Sequence, residues 1–456
     1  MALPIPRLLL VLLGAALTTL ACSRISSPEV TGELVVAVLD DPVHYQANGS
    51  EGQENGFEAD LVRAFANEMQ LPVRFVPVFT PAELADLVAR GKVHFAASAP
   101  LSADASLRYT PSIRGARLLI AQHEDALPVA DAADLADHSV AVLAGSAAAA
   151  ALHRLAETTP FPITEVERGD DISLLAQVAE RKVEAVATDS AHLDVAANYF
   201  PELEESQVLT GSVAYAWAFS AEGDSLRQKA EDFIARSRHN GLISRLHDRY
   251  FGHIHRITTE GAAQFLEDMR GLLPHFRQIF LQAAATTGID WRILAALAYQ
   301  ESHWDALATS PTGVRGIMML TEETADRLLV RNRLDAGESI RAGARYLSDL
   351  MNELPDHIAK PDRLWFALAA YNLGMGHLRG ARQMADGMKH DSTSWYEMKK
   401  VLPLMARPEY YARLKAGRAR GGEAVIMVEN VRTYYDILAR FQPAFVSPLQ
   451  TDLTMQ

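Results

Sequence analysis

The chain has 456 residues, 49% hydrophobic and 22% charged, an ordinary globular balance with room for about two to four domains. Its formal net charge of -14 excludes the broad electrostatic grip on nucleic acid that a basic surface provides, and argues against holding anionic lipid by charge alone. A single cysteine, Cys22, excludes an intramolecular disulfide.

In chain order, Arg7 and the apolar run Leu8–Leu17 read as an export signal over residues 1–21. The run falls short of the roughly 20 apolar residues that span a bilayer. It closes on Leu20-Ala21-Cys22-Ser23, which resembles a bacterial lipobox, although Thr19 stands where that pattern carries Leu. The resemblance implies lipidation at Cys22. With Ser23 next, it also implies a membrane tether on the periplasmic face of the outer membrane. A plain export signal with an incidental cysteine is the alternative. Residues 22–32 form a polar linker.

Leu34–Leu39 is a continuous apolar run closed by Asp40-Asp41-Pro42, the pattern of a buried parallel strand. Asp60–Met69 follows with helical spacing. Val73–Val78 is a strand, Pro81–Ala89 a helix and Val93–Ser98 a third strand. The rhythm resumes with Ser139–Gly145, a helix from Ala147 and the strand Val183–Asp189. Two α/β lobes over residues 33–252 imply a cleft between them. Residues 253–274 read as a connector. From residue 275 to 456 helical periodicity replaces the strands.

Asp290 suits a helix N-cap, with Ile289 and Leu294 at hydrophobic-staple spacing. Trp291, Leu294, Ala298 and Glu301 share one face of the helix that follows. A carboxyl group against apolar neighbours has its charged form disfavoured, so it stays protonated near neutral pH and can donate a proton. Periodicity alone favours the plainer reading, an exposed glutamate at a fraying helix end. Glu322 and Glu323 stand at a helix start, where acids favour the helix dipole. His303 and His377 lack a third ligand, so no metal or cofactor is expected.

The flanking text settles which reading of Glu301 is preferred. Glu301-Ser302-His303-Trp304, Ala308–Thr321 and Ala369–His377 resemble, in order, the three signature segments of the soluble lytic transglycosylase family. The whole chain is similar to the F type of membrane-bound lytic murein transglycosylases. The resemblance implies a mostly α, lysozyme-like domain with Glu301 as catalytic acid and base. It implies substrate contacts at Ser310, Gly316 and Met318 in the loop segment, at Tyr371 and Asn372 in the AYN segment, and at Tyr434 near the C-terminus. The substrate implied is the peptidoglycan glycan strand. Its bond between N-acetylmuramic acid and N-acetylglucosamine would be cut without water to leave a 1,6-anhydro end. A hydrolytic muramidase and a peptidoglycan receptor without turnover are the alternatives. The basic residues Arg407, Arg413, Lys415, Arg418 and Arg420 suit either a solvated face or contact with substrate carboxylates.

Gly56–Leu61, Val140–Ser146, Ala187-Thr188-Asp189 and Asn240–Gly252 resemble the amino-acid-capturing family of periplasmic solute-binding proteins. That resemblance implies an α/β two-lobed periplasmic binding fold, with Tyr45, Ser98 and Asp189 at the ligand. The family's carboxylate-pairing arginine has no counterpart in Ser102–Leu107. A free amino acid is therefore a poor fit, which leaves a muropeptide fragment or no ligand at all as the alternatives.

Overall fold

A computed structural model describes residues 24–47, 54–102, 105–127, 129, 131–206, 209, 211–222, 224–412, 414–443 and 445. Cys22, the export signal and Arg413 lie outside the described residues. The chain separates into two compact units. One takes in residues up to 47, 55–192 and 204–243; the other takes in 193–203 and the chain from 244 onward.

The first unit is a mixed sheet flanked by helices. Its strands are β1 (Leu34–Leu39), β2 (Val73–Val78), β3 (Phe95–Pro100), β4 (Leu107–Tyr109), β5 (Arg114–His123), β6 (Val140–Leu143), β7 (Ile163–Val166), β8 (Ala185–Asp189), β9 (Leu203–Ser206) and β10 (Ser212–Ser220). The order is β2-β1-β3-β10-β5-β8-β6-β7, with β4 on β10 and β9 on β5. β1, β2 and β3 run parallel, as do β6, β7 and β8. These two parallel sets are the two lobes.

β5 joins the lobes. Its residues 114–117 pair with β10, and residues 118–122 pair with β8. All six residues of β1 are buried, as its unbroken apolar text requires of a strand covered on both faces. The helices of this unit are α1 (Phe57–Glu68), α2 (Pro81–Ala89), α3 (Ala147–Thr158), α4 (Asp171–Ala179), α5 (Ser190–Ala197) and α6 (Asp224–His239). Thr80, Ser146 and Asp170 cap α2, α3 and α4 by accepting a backbone N–H three residues on.

The second unit is helical: α7 (Leu242–Phe251), α8 (Thr259–Gly271), α9 (Leu273–Thr287), α10 (Trp291–Ser302), α11 (Glu322–Arg327), α12 (Ala336–Glu353), α13 (Asp362–Leu373), α14 (Met375–Gly387), α15 (Trp395–Val401) and α16 (Gly421–Phe441). Two sequence expectations change here. Residues 253–274 are no free connector, because Phe265, Leu266 and Met269 of α8 are buried in the core of this unit. The end of the solute-binding text also packs in this unit. Lys399 reaches the Asp248 carboxylate, and Arg432 donates to the carbonyls of Asp248 and Arg249. The buried Glu429 carboxylate accepts from Arg432, Lys399 and the Trp395 indole, so the charges in this knot are compensated.

Candidate active site

α10 lies at the centre of the helical unit. Asp290 caps it as expected, accepting from the Arg292 N–H at 2.9 Å. The apolar face is wider than the sequence reading had it. Every residue from Trp291 to Tyr299 is buried, Arg292 included, with its guanidinium paired to Asp290. A helix apolar nearly all round is a core helix, and Glu301 stands in its last turn.

The chain turns sharply just after. His303 and Trp304 both take left-handed backbone conformations, at φ 53° and 60°. For a bulky residue such as tryptophan that is a strained state, costing about 1–3 kcal/mol. Burial of the indole to 2% exposure, and its hydrogen bond to the Ala295 carbonyl at 2.8 Å, hold it in place.

Glu301 is half-buried and makes no ion pair or hydrogen bond among the described residues. Burial pushes its carboxyl up to about 7. The group next to it is Tyr371 on α13, whose own ionisation is pushed well up by burial and by the Glu301 charge. Tyr371 donates to the Met318 carbonyl at 2.7 Å, and its ring lies 5.2 Å from that of Tyr346. Ser302 donates to the Ile317 carbonyl at 2.9 Å. The segment 317–318 is thus tied to α10 on one side and to α13 on the other.

The loop before it is built for that position. Ser310 closes its turn, its hydroxyl accepting from the backbone of Thr312 and Val314. Gly316 sits at φ 81°, and a Cβ there would stand 1.8 Å from the Arg333 carbonyl oxygen, so only glycine fits. Met318 is fully buried with its side chain packed against Gly343, and its carbonyl is the acceptor for Tyr371. Asn372 is exposed beside Tyr371. Tyr434 is 7% exposed, its ring 4.6 Å from Phe265 and 4.9 Å from Tyr299. Tyr435 reaches Asp290 instead.

Glu322 and Glu323 are exposed in the first turn of α11 behind the Thr321 cap. Arg407, Lys415, Arg418 and Arg420 are exposed. Sequence reasoning missed Tyr346, Ser339 and Arg333. Ser339 accepts the Met318 N–H at 3.3 Å, and Arg333 binds the Gly313 and Leu320 carbonyls at 2.9 and 3.1 Å. No motif marks these three.

The first unit encloses a cavity at the ends of its parallel strands, where open α/β sheets place ligands. Asp41, His44, Asp171, Thr188, Asp189, His192 and Tyr215 line it. Of the three residues expected at a ligand, only Asp189 reaches it. Tyr45 is buried with its ring 5.0 Å from that of Phe75, and Ser98 is fully buried with its hydroxyl on Glu58 at 2.6 Å. Asp189 is already engaged: Tyr215 donates to one oxygen, and the N–H groups of Ala191 and His192 donate to the other.

Burial alone would raise the Asp41 and Asp189 carboxyls. The imidazoles beside them, His44 and His192 for Asp41 and His192 for Asp189, hold both well below the usual range. Asp171 is raised by burial. Arg114 on β5 lies 5.2 Å over the Tyr215 ring. It is an arginine close to this cluster that the sequence register did not point to.

A two-lobed solute-binding fold followed by a helical transglycosylase domain defines the class. Residues 34–253 match the bacterial extracellular solute-binding proteins, family 3, and residues 278–392 match the transglycosylase SLT domain. A protein of Methylobacillus flagellatus is 39% identical over 447 residues, 95% of this chain and 94% of that one. A Nitrosospira multiformis protein is 41% identical, covering 91% and 87%, and a Thiobacillus denitrificans protein 40%, covering 93% and 92%. All three are named membrane-bound lytic murein transglycosylase F, and the chain belongs to that family. Among solved structures, an amino acid transporter substrate-binding protein of Streptococcus pneumoniae bound to L-arginine matches half of this chain and 98% of its own, at a TM-score of 0.45 and 18% identity.

Proposed function

We propose that the protein is a lytic transglycosylase that cleaves the glycan strands of peptidoglycan, with Glu301 as both acid and base. One observation carries the reading: a carboxyl with no partner, raised to about 7 by burial, at the end of the central helix beside Tyr371. Such a group is protonated often enough near neutral pH to donate, and ionises readily enough to accept.

Glu301 gives its proton to the glycosidic oxygen between N-acetylmuramic acid and N-acetylglucosamine as that bond breaks. The muramoyl N-acetyl oxygen assists at the anomeric carbon. The Glu301 carboxylate then takes the proton of the C6 hydroxyl, whose oxygen closes the 1,6-anhydro ring. The proton is returned and no water is consumed. Glycosidases that use water normally employ two carboxyl groups, and no second carboxylate perturbs Glu301.

Ser310 and Gly316 shape the loop beside the scissile bond, and Met318 presents its carbonyl there through Tyr371. Asn372 and Tyr434 complete the substrate contacts in this reading. Mass spectrometry of digested sacculi tests it. Soluble fragments should be lighter by one water than hydrolysis products. Reducing ends would identify a hydrolytic muramidase, and binding without release a receptor.

The working division is residues 33–252 for ligand capture and residues 275–456 for cleavage. Export followed by lipidation of Cys22 would tether the protein to the periplasmic face of the outer membrane. The relatives' name supports a membrane location, and no described helix is long and apolar enough to cross a membrane. For the first unit we favour a muropeptide, on the strength of the solute-binding match and of Asp189 at the cavity. The cavity volume of about 30 Å³ admits only one or two water-sized species, so a muropeptide requires the lobes to part. Calorimetry with anhydromuropeptides tests this; silence toward them at millimolar concentration would remove the muropeptide.

A further inference from the structure

Asp41, His44 and His192 meet at the cavity of the first unit, exposed by only 8%, 1% and 3%. One donor atom from each lies within 4.8 Å of the donor atoms of the other two. We propose that these three residues bind a divalent transition metal, with zinc the ion they fit best. The ion would fasten the loop after β1 to the helix after β8, and so one lobe to the other.

Two imidazoles and a carboxylate form a donor set that zinc takes readily, leaving a fourth position open toward the cavity. The spacing suits it. Metal–ligand bonds of about 2.0–2.1 Å in a tetrahedron put neighbouring ligand atoms roughly 3.3 Å apart. Asp41 Oδ2 lies 2.8 Å from His44 Nδ1 and 3.8 Å from His192 Nε2, so the two separations bracket that value. Shifts of about half an ångström would satisfy both.

The surroundings also match a metal site. A metal-bound histidine is backed, on its other nitrogen, by a carboxylate or carbonyl that fixes ring and tautomer. His192 Nδ1 lies 3.0 Å from Asp189 Oδ2, at ion-pair distance without hydrogen-bond alignment, and Asp189 is itself fixed by Tyr215 and two backbone N–H groups. His44 Nε2 and His192 Nδ1 are buried without a hydrogen-bond partner, so the residues around the two imidazoles do not satisfy them fully. Three carboxyl groups, Asp41, Asp171 and Asp189, surround two imidazoles, so a dication finds compensating charge in place. The free volume of about 30 Å³ suits an ion with a small ligand. The sequence reading expected no metal, because His44 and His192 are brought together only by the fold.

The test is zinc and cobalt titration of the purified, chelator-stripped protein, followed by calorimetry and elemental analysis. One equivalent per chain is expected, held at micromolar Kd or tighter, with the cobalt form showing the visible absorption of a four-coordinate site. His44→Gln and His192→Gln should each weaken binding at least about 10-fold, and Asp189→Asn about 10–100-fold. Should a histidine variant fail to fold, Tyr215→Phe provides a milder one. It frees Asp189 without touching a ligand, and should still weaken binding measurably while the metal-free melting curve stays close to that of the parent. Failure of the parent protein to take up a stoichiometric ion would overturn the proposal. So would uptake unchanged in both histidine variants, which would place the ion on surface histidines, or full retention of affinity in Tyr215→Phe and Asp189→Asn together.

Discussion

In the proposed reaction a single carboxyl group, that of Glu301, does the chemistry, and its environment has measurable consequences. Below pH 4.5 the Glu301 side chain is neutral both folded and unfolded. Between 4.5 and about 7 the unfolded chain ionises while the folded one keeps its proton, so the folded state binds more protons and stability falls as pH rises. Above about 7 the loss is complete, and amounts to about 3 kcal/mol. Glu301→Gln has no such ionisation. Its helical unit should melt at a temperature less dependent on pH, with the gain over the parent opening between pH 4.5 and 7 and level beyond. Parallel melting profiles across that range would show that the carboxyl is not desolvated. The same variant should lose at least about 100-fold in release of soluble fragments from sacculi, because an amide cannot cycle a proton. In the parent, kcat/KM should decline as pH passes about 7 and the acid form is titrated away. Glu301 was legible in the sequence because its motif is local: cap, apolar helix, carboxylate and turn are consecutive. Asp41, His44 and His192 were not, since the first two follow β1, the third follows β8, and only the fold brings them together.

At the scale of elements, α8 and the loop around Gly316 carry the clearest tests. Phe265 of α8 is fully buried, 4.6 Å from both Tyr299 and Tyr434. Asp268 of the same helix accepts from the Tyr299 hydroxyl at 2.8 Å. A chain starting at residue 275 would lack this helix and leave an aromatic pocket open. It should melt well below a chain starting at residue 253, and Phe265→Ala in the latter should cost about 3–5 kcal/mol. Equal stability of the two chains would mean that α8 is dispensable. Gly316→Ala should be worse for activity than for the bulk fold. Its Cβ would collide with the Arg333 carbonyl and push away the segment that carries Met318. Turnover should fall several-fold more than global stability explains, and turnover tracking stability alone would argue against that coupling. The sequence read five of the six parallel strands, β1, β2, β3, β6 and β8, from their largely apolar runs, and missed β7, whose Ile163-Thr164-Glu165-Val166 is no such run. It missed β5 and β10, which join the lobes. Each does hold an apolar run, Leu118–Ala121 and Val213–Phe219, but both pair antiparallel to their neighbours and fall outside the strand–helix alternation by which the lobes were read. It read α8 as a connector because the apolar residues Phe265, Leu266 and Met269 are few and their partners lie far along the chain.

At the scale of the whole molecule, the proposed membrane tether has consequences that fractionation can read. The net charge of -14 opposes attraction to anionic lipid, and no described helix is long and apolar enough to span a bilayer. A covalent lipid on Cys22 is the anchor proposed from the resemblance of its flanking text to a lipobox. One acyl chain binds a bilayer only marginally and reversibly, so a stable anchor requires more than one on the same residue. An anchor of this kind is hydrophobic and therefore indifferent to ionic strength, unlike a surface held by charge. The parent protein should accordingly remain in the membrane pellet through a high-salt wash and leave it in detergent. Cys22→Ala, expressed with its export signal, should appear in the soluble periplasmic fraction. Its activity per molecule on isolated sacculi should equal that of the parent, because the substitution lies far along the chain from Glu301 and alters only the anchor. Pelleting of Cys22→Ala that resists high salt would show that the folded units themselves bind the envelope, and the lipid assignment would then fall.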